Sequence, residues 1–295
     1  DVQTDISYYK LPEDGIPLPV IMNKDTRVDL SKCDWQLTTV YDVRGSLFNF
    51  TLDVAGFQSA KHKSSLDDYS DDAMVKERHY PEVVKLLETI TGSSKVIIFH
   101  HQVRQARTHY LYHEDASTIE GDPTKEKQNE NFPPDASMHG PVRGAHTDLS
   151  YDFAPEVLKM YCPDQAEQFL KGRFQVINVW RPIKTIYKDP FAVLDARTML
   201  PEDLAIVALV GPQFTNNTFS VKAPSKERKD GGHKWYYMSQ QTPEDVLLFK
   251  NFDSKTDGRA RAAPHTSFDD NEFKHMDARQ SLEIRAFVFH EDDVE

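Results

Sequence analysis

A chain of 295 residues with 39% hydrophobic and 28% charged residues has the balance of a soluble globular protein, with enough apolar side chains for a sizeable core. Its formal net charge of -12 argues against a nucleic-acid groove or an anionic membrane as partner, while leaving room for a local basic pocket. The sequence has no apolar run long enough for a membrane-spanning helix, and two cysteines, Cys33 and Cys162, are too few for a disulfide framework, so a reducing, cytoplasmic setting is expected.

Residues 1–45 carry a Pro-rich patch (LPEDGIPLPV) and little periodicity, and read as an N-terminal arm wrapping a core. The start of the chain lacks the basic and apolar regions of a signal peptide, so the sequons at Asn49 and Asn216 are expected to go unused. GSLFNFTLDVAGF (46–58) alternates in part and predicts a strand followed by a turn. Residues 66–92 repeat apolar positions at three and four, which predicts helix. Pro81 splits that stretch into two expected helices, and Gly92 suits a C-cap. KVIIFHHQV reads as a strand. Residues 114–141 are polar and rich in Pro and Gly, and predict a flexible loop that is either a lid over a site or a plain insertion.

From 142 onward strand signals dominate. A helix-like APEVLKMYCPDQAEQFLKG is followed by RFQVINVWRPI, PFAVLDA, TFSVKA, KWYYMSQ, DVLLFKNF, APHTSF and RQSLEIRAFVF. Short strands with a helical layer on one face predict a mainly β sandwich or jelly roll. No repeat or break divides the chain, so residues 1–295 are expected to form a single domain. Oligomeric state is not readable.

Two His and one carboxylate on one side of a metal leave positions open for a chelating acid and dioxygen. Their pattern is H-x-D/E followed by a distant His, because alternate residues of an extended segment share a side. The tripeptide occurs three times, at His113-Glu114-Asp115, His146-Thr147-Asp148 and His290-Glu291-Asp292. His290 has no later His, and His113 opens the polar loop, where nothing would hold a ligand rigidly. His146 and Asp148 are therefore favoured. His265, in the apolar AAPHTSF, is the preferred distal ligand. His233 follows two glycines in a basic turn that reads as exposed, and His275 lies in a charged segment.

Alternation along residues 279–289 places Arg279, Ser281, Glu283, Arg285, Phe287 and Phe289 on one face and apolar residues on the other. An arginine inside a barrel mouth calls for an anion, and a guanidinium binds a carboxylate through two parallel bonds. Arg279 with the Ser281 hydroxyl is the first candidate for that anion, and Arg285 is the second. An internal pair with Glu283 is the alternative for either arginine.

These residues resemble the iron(II)/2-oxoglutarate-dependent dioxygenases, and more narrowly the fungal gibberellin desaturase-like and cephem methoxylase-like hydroxylases and desaturases. The resemblance also runs through VYDVRG (40–45), FTLDVAGFQSAKHKSS (50–65), residues 80–104, GAHTDLS (144–150), NVWRPI (178–183) and DVLLFKNFDS (245–254). It implies a double-stranded β-helix (jelly roll, cupin-like) core, with iron(II) on His146, Asp148 and His265. It also implies 2-oxoglutarate on Arg279 and Ser281, with Asn178 nearby, and dioxygen as oxidant. The implied reaction oxidises an unactivated C–H of a small specialised metabolite or modified amino acid by hydroxylation, desaturation or cyclisation, releasing succinate and carbon dioxide. Trp180, Arg181 and Phe287 are candidates to line the substrate pocket, with barrel-wall packing as the alternative. His100 and His101 receive no role. A cupin-type metal hydrolase or isomerase would need no arginine for a co-substrate, and a non-catalytic binding barrel would need no intact triad.

Overall fold

The computed structural model describes residues 1–21, 33–104, 141–211 and 215–294. In chain order its strands begin with β1 (Val2–Tyr9), β2 (Val20–Ile21) and β3 (Cys33–Asp42). A short helix α1 (Leu52–Ala55) leads into β4 (Phe57–Lys61), then α2 (Asp72–Met74), a π-turn over Val75–His79, α3 (Tyr80–Thr91) and β5 (Lys95–Arg104). β6 (His146–Thr147), α4 (Ala154–Tyr161) and α5 (Ala166–Phe169) follow. The rest is strand: β7 (Arg173–Pro182), β8 (Phe191–Leu194), β9 (Leu204–Val210), β10 (Thr215–Val221), β11 (Trp235–Tyr237), β12 (Asp245–Asp253), β13 (His265–Ser267) and β14 (Ser281–His290).

Two sheets result. The larger runs β1-β3-β11-β8-β13-β6-β10-β9-β2 and the smaller β4-β12-β7-β14-β5. This is the mainly β, helix-backed jelly roll that the strand spacing predicts. β7 and β12 are buried at every position, as expected for strands covered on both faces. One face of the smaller sheet, through Ile177, Val179, Val246, Leu248, Leu282, Ile284 and Val288, packs on Val83 and Leu87 of α3. The opposite face meets the larger sheet through Trp180, Leu247 and Phe249 against Phe191 and Val193. Lower down it is covered by α4 and α5 through Phe174, Phe252, Phe287 and Phe289. The apolar alternation of β14 is therefore realised as two different cores.

Several sequence expectations change. Among the described residues of 1–45, β1 and β3 pair antiparallel from Val2↔Val40 to Tyr9↔Cys33 and form one end of the larger sheet. Their alternation is hidden because Trp35, Leu37 and Tyr41 stay exposed on one face. The segment 46–58 is not a strand and turn. It forms one 3-10 turn (Leu47–Asn49), α1 and the start of β4, and its glycine, Gly56, sits at φ 83. A side chain there would meet the Ala262 carbonyl oxygen and the Ala263 methyl at 3.0 Å, so glycine is required by both conformation and space. Pro81 does not break the helical stretch. It occupies the first turn of α3, where its missing N–H costs nothing, and Gly92 closes the helix at φ 66. β9 continues an apolar run, LAIVALV, that the strand reading passed over. The loop expected at 114–141 lies, apart from Pro141, outside the described residues, as does His113. No helix among the described residues is long and apolar enough to cross a membrane.

Candidate metal centre

The larger sheet assembles the triad through register. His146 on β6 and His265 on β13 are directly paired across an antiparallel ladder, which brings their rings to 4.5 Å between centroids. The segment carrying His146 is pinned on three sides. Ala145 N–H donates to the Ser7 carbonyl, Val221 N–H donates to the Ala145 carbonyl, and the Thr266 hydroxyl donates to the Arg143 carbonyl. Asp148 lies two residues after His146 on the same side, and the intervening Thr147 is fully buried with its hydroxyl on the Leu149 carbonyl. One nitrogen of each histidine and one carboxylate oxygen lie within 4.8 Å of one another.

The free atoms are the ones a cation needs. His146 Nδ1 lies 2.8 Å from the Gly144 carbonyl and His265 Nδ1 lies 3.3 Å from the Ala263 carbonyl, so each Nδ1 carries the proton and each Nε2 is left as an acceptor. Both Nε2 atoms face Asp148 Oδ1, at 3.8 and 3.7 Å. Burial, with His265 alongside, pushes His146 down to about 4, so it stands neutral and ready to ligate. Burial alone would raise Asp148, but Arg285 and the two histidines hold it well below the usual carboxylate range. Neutral imidazoles and an ionised carboxylate suit a divalent first-row metal.

The two arginines on the β14 face separate sharply. Arg285 Nε lies 3.2 Å from Asp148 Oδ2, and its Nη2 lies 2.9 Å from Glu283. Its charge is thus taken up by two carboxylates, and the contact with Glu283 is the internal pair that stood as the alternative to a co-substrate role. Arg279 is buried, and its Nη1 donates to the Asp189 carbonyl (2.9 Å) and to Ser267 Oγ (2.7 Å). Its Nε and the Ser281 hydroxyl are buried without any hydrogen-bond partner. Burial, with Arg104 nearby, pushes Arg279 down to about 9. Its guanidinium lies 5.4 Å from the Trp180 ring and 5.7 Å from Phe191, and the Phe191 ring is 5.5 Å from His265. One aromatic ring therefore separates an underpaired cation from the triad. Asp189, which accepts from Arg279, holds the rare φ of 55, and its carboxylate pairs with the buried Arg143.

The remaining candidates divide. Asn178 faces the triad, with Nδ2 2.6 Å from Asp148 Oδ2 and Oδ1 unpartnered. Arg181 turns to the other side of the sheet, donating to the His62 and Pro243 carbonyls, so it does not line the pocket. Trp180 is fully buried and stacks on Phe191 at 4.8 Å, and Phe287 is fully buried and stacks on Phe99 at 4.3 Å. Both are wall packing rather than open substrate surface. His233 is buried, not exposed, with Nε2 2.9 Å from Asp203.

Sequence reasoning missed two residues. Asn251 accepts the Asp148 N–H at Oδ1 (2.8 Å) and donates to Asp148 Oδ2 (3.2 Å). Its signal was a run of polar residues, Lys250, Asn251 and Asp253, in a strand too apolar to be a surface strand. His100 pairs across β14 with Arg285, and its Nδ1 is buried without a partner. Burial, with Arg285 beside it, pushes His100 down to about 4.

A family model described as an oxidoreductase/YMDC permease-like domain matches residues 6–289. The hydroxylase/desaturase efuI of Hormonema carpetanum is 31% identical over 99% of this chain and 96% of its own length. The hydroxylase/desaturase CTB9 of Cercospora beticola is 33% identical over 88% of this chain and 78% of its own. The alpha-ketoglutarate-dependent dioxygenase phiK of a fungal species is 29% identical over 97% and 95%. The chain belongs to the fungal iron(II)/2-oxoglutarate-dependent dioxygenases of the hydroxylase/desaturase group. In this family the solved iron and alpha-ketoglutarate-dependent endoperoxidase NvfI shares the fold, with a TM-score of 0.75 at 24% identity over 98% of both chains.

Proposed function

We propose that His146 Nε2, Asp148 Oδ1 and His265 Nε2 hold iron(II), and that Arg279 with Ser281 holds the distal carboxylate of 2-oxoglutarate. The observation that carries this reading is a pair of complementary deficits: three ligand atoms facing one point, and the buried Arg279 Nε and Ser281 hydroxyl left without hydrogen-bond partners. An anion between Arg279 and Ser281 would satisfy both groups, whereas Arg285 is already matched by Glu283 and Asp148. Iron(II) with 2-oxoglutarate and dioxygen supplies the oxidising power to break an unactivated C–H bond, with succinate and carbon dioxide as co-products.

The residues of the chain orient the reactants and exclude water. Phe191 and Phe249, packed 5.5 and 4.6 Å from the His265 ring, close the apolar side of the site. His100 Nδ1 and Asn178 Oδ1 are buried without hydrogen-bond partners close to Asp148 and Arg285. Hydroxylation, desaturation and oxidative cyclisation all follow from hydrogen abstraction at this site. The strands of both sheets are drawn from residues 2 to 290, which supports one catalytic unit over the whole chain. Cys33 and Cys162 form no disulfide with each other, which fits a cytoplasmic setting.

The test is succinate formation from 2-oxoglutarate by the purified protein with iron(II), in the presence of a screen of small fungal metabolites. Asp148→Ala and His146→Ala should lose turnover and metal binding while keeping the fold by circular dichroism. Full turnover in either variant would overturn the metal assignment.

A further inference from the structure

We infer that Asn251 is a positioning residue for Asp148, setting that carboxylate to present one oxygen, Oδ1, to the metal. This rests on the metal-centre reading above. Asp148 Oδ2 accepts hydrogen bonds from Asn178 Nδ2 at 2.6 Å and Asn251 Nδ2 at 3.2 Å, and Arg285 Nε, whose N–H donates to Glu283, stands 3.2 Å away as an ion pair. Oδ1 alone is left toward His146 and His265. Among the described residues only Asn251 grips Asp148 twice, because its Oδ1 also accepts the Asp148 backbone N–H. That double contact needs a donor and an acceptor on one short side chain. Aspartate supplies no donor, leucine neither group, and glutamine is one methylene too long.

The backbone is shaped for this contact. Between Lys250 and Phe252 the β12–β7 ladder shifts by one residue, leaving Asn251 as the unpaired residue of a bulge. Asn251 and Phe252 then both point inward, the first to Asp148 and the second to Phe174 at 4.8 Å between centroids. Lys250, pointing the other way, locks the bulge. Its buried Nζ donates to Asp53 and Asp253, both at 2.6 Å, and to the Ala260 carbonyl at 3.0 Å. The Lys250 carbonyl accepts the Ala263 N–H, and the Ala263 carbonyl faces His265 Nδ1. One bulge thus sets both Asp148 and the backbone that orients His265.

The experiment titrates the full-length protein anaerobically with iron(II) alone, and separately with cobalt(II), whose visible spectrum reports its ligand geometry. Asn251→Ala and the near-isosteric Asn251→Asp are compared with wild type and with Asp148→Ala. Outer partners of metal ligands are typically worth about 10- to 100-fold in metal affinity. Both Asn251 variants should weaken iron(II) binding in that range and alter the cobalt(II) spectrum. A purely structural asparagine would lower the melting temperature and leave affinity and spectrum unmoved. Iron(II) affinity within about twofold of wild type in a folded Asn251 variant, with Asp148→Ala binding lost, overturns this inference alone. Unchanged binding in Asp148→Ala as well would instead overturn the metal-centre reading. If Asn251→Ala fails to fold, the aspartate variant decides.

Discussion

Replacing Arg279 by methionine should leave the protein, without 2-oxoglutarate, about as stable as wild type or more so. Arg279 is only 4% exposed, and its guanidinium has no carboxylate partner of its own. A fall of its pKa from 12.5 to about 9 corresponds to an upper bound of about 5 kcal/mol of unfavourable interaction for the cation. The sign follows from the direction. The folded value lies below the unfolded one, so the cost is fully present at neutral pH and lifts only as pH rises beyond 9. Against it stands the cost of leaving two buried acceptors, the Asp189 carbonyl and Ser267 Oγ, without their donor in the methionine variant, about 1–3 kcal/mol each. The two sides nearly cancel, so the variant should fall within about 2 kcal/mol of wild type, whereas truncating an ordinary buried side chain of this size costs about 2–5 kcal/mol. The ligand response should differ completely. In wild type with manganese(II), 2-oxoglutarate at about a hundred times its Kd should add about 2.7 kcal/mol. That is a rise in Tm of about 4 °C for a chain of this size. The methionine variant should show none at the same concentration. Thermal unfolding followed by circular dichroism, with and without 2-oxoglutarate, reads both effects. A variant destabilised by more than about 4 kcal/mol, or one keeping the full ligand shift, would refute the reasoning, because Arg279 would then be a satisfied structural cation.

Acid should weaken the helix-side core through His79. Burial pushes this residue down to about 4 despite Glu82 at 2.9 Å, so the unfolded chain takes up the proton first and stability falls as pH drops from about 6.5 toward 4. Burial works against Glu82, but hydrogen bonds from Ser65, His79 and Ser64 bring it down to about 2, so its contribution is present above about 4.5 and lost below. His79→Phe should flatten the dependence of Tm on pH between about 6.5 and 4.5; an unchanged slope counts against it. Leu87→Ala, at a fully buried position of α3 against the smaller sheet, should cost about 2–5 kcal/mol in denaturant titrations. It should leave iron(II) affinity unchanged, because the two faces of the sheet serve different cores.

Much of this site is written in local pattern. The alternation of 279–289 assigns an apolar face to α3 and a polar face to the interior, and the strand keeps that division. The same alternation put Arg279 and Arg285 on one face without separating their roles. What separates them is register. Arg285 pairs with Asn178, whose side chain reaches Asp148, while Ser281, two residues past Arg279, pairs with Pro182 at the opposite end of β7. Register depends on the partner strand about a hundred residues away, so no window of the sequence contains it. β1 and β3 were hidden for another reason: Trp35, Leu37 and Tyr41 place apolar side chains on the solvent face of β3, which blurs the period of two.

The bulges are the least legible feature and the most consequential. Besides Asn251 in β12, the β14–β5 ladder shifts between Arg285 and Ala286, making Phe99 an extra residue. Phe99 and His100 therefore both face inward, Phe99 onto Phe287 and His100 beside Arg285, although they are consecutive. A strict alternation of apolar and polar residues would send one of them outward, and KVIIFHHQV contains no glycine or proline to mark the break. Both irregularities fall on strands that bring polar groups up to Asp148 and Arg285, while β7, which lies between β12 and β14, stays regular against β14. A regular sheet can present alternate residues to a metal but cannot place two successive ones beside it. Holding one carboxylate with Asn178, Asn251 and Arg285 from three neighbouring strands, with the buried His100 beside Arg285, needs the extra residue that each bulge supplies.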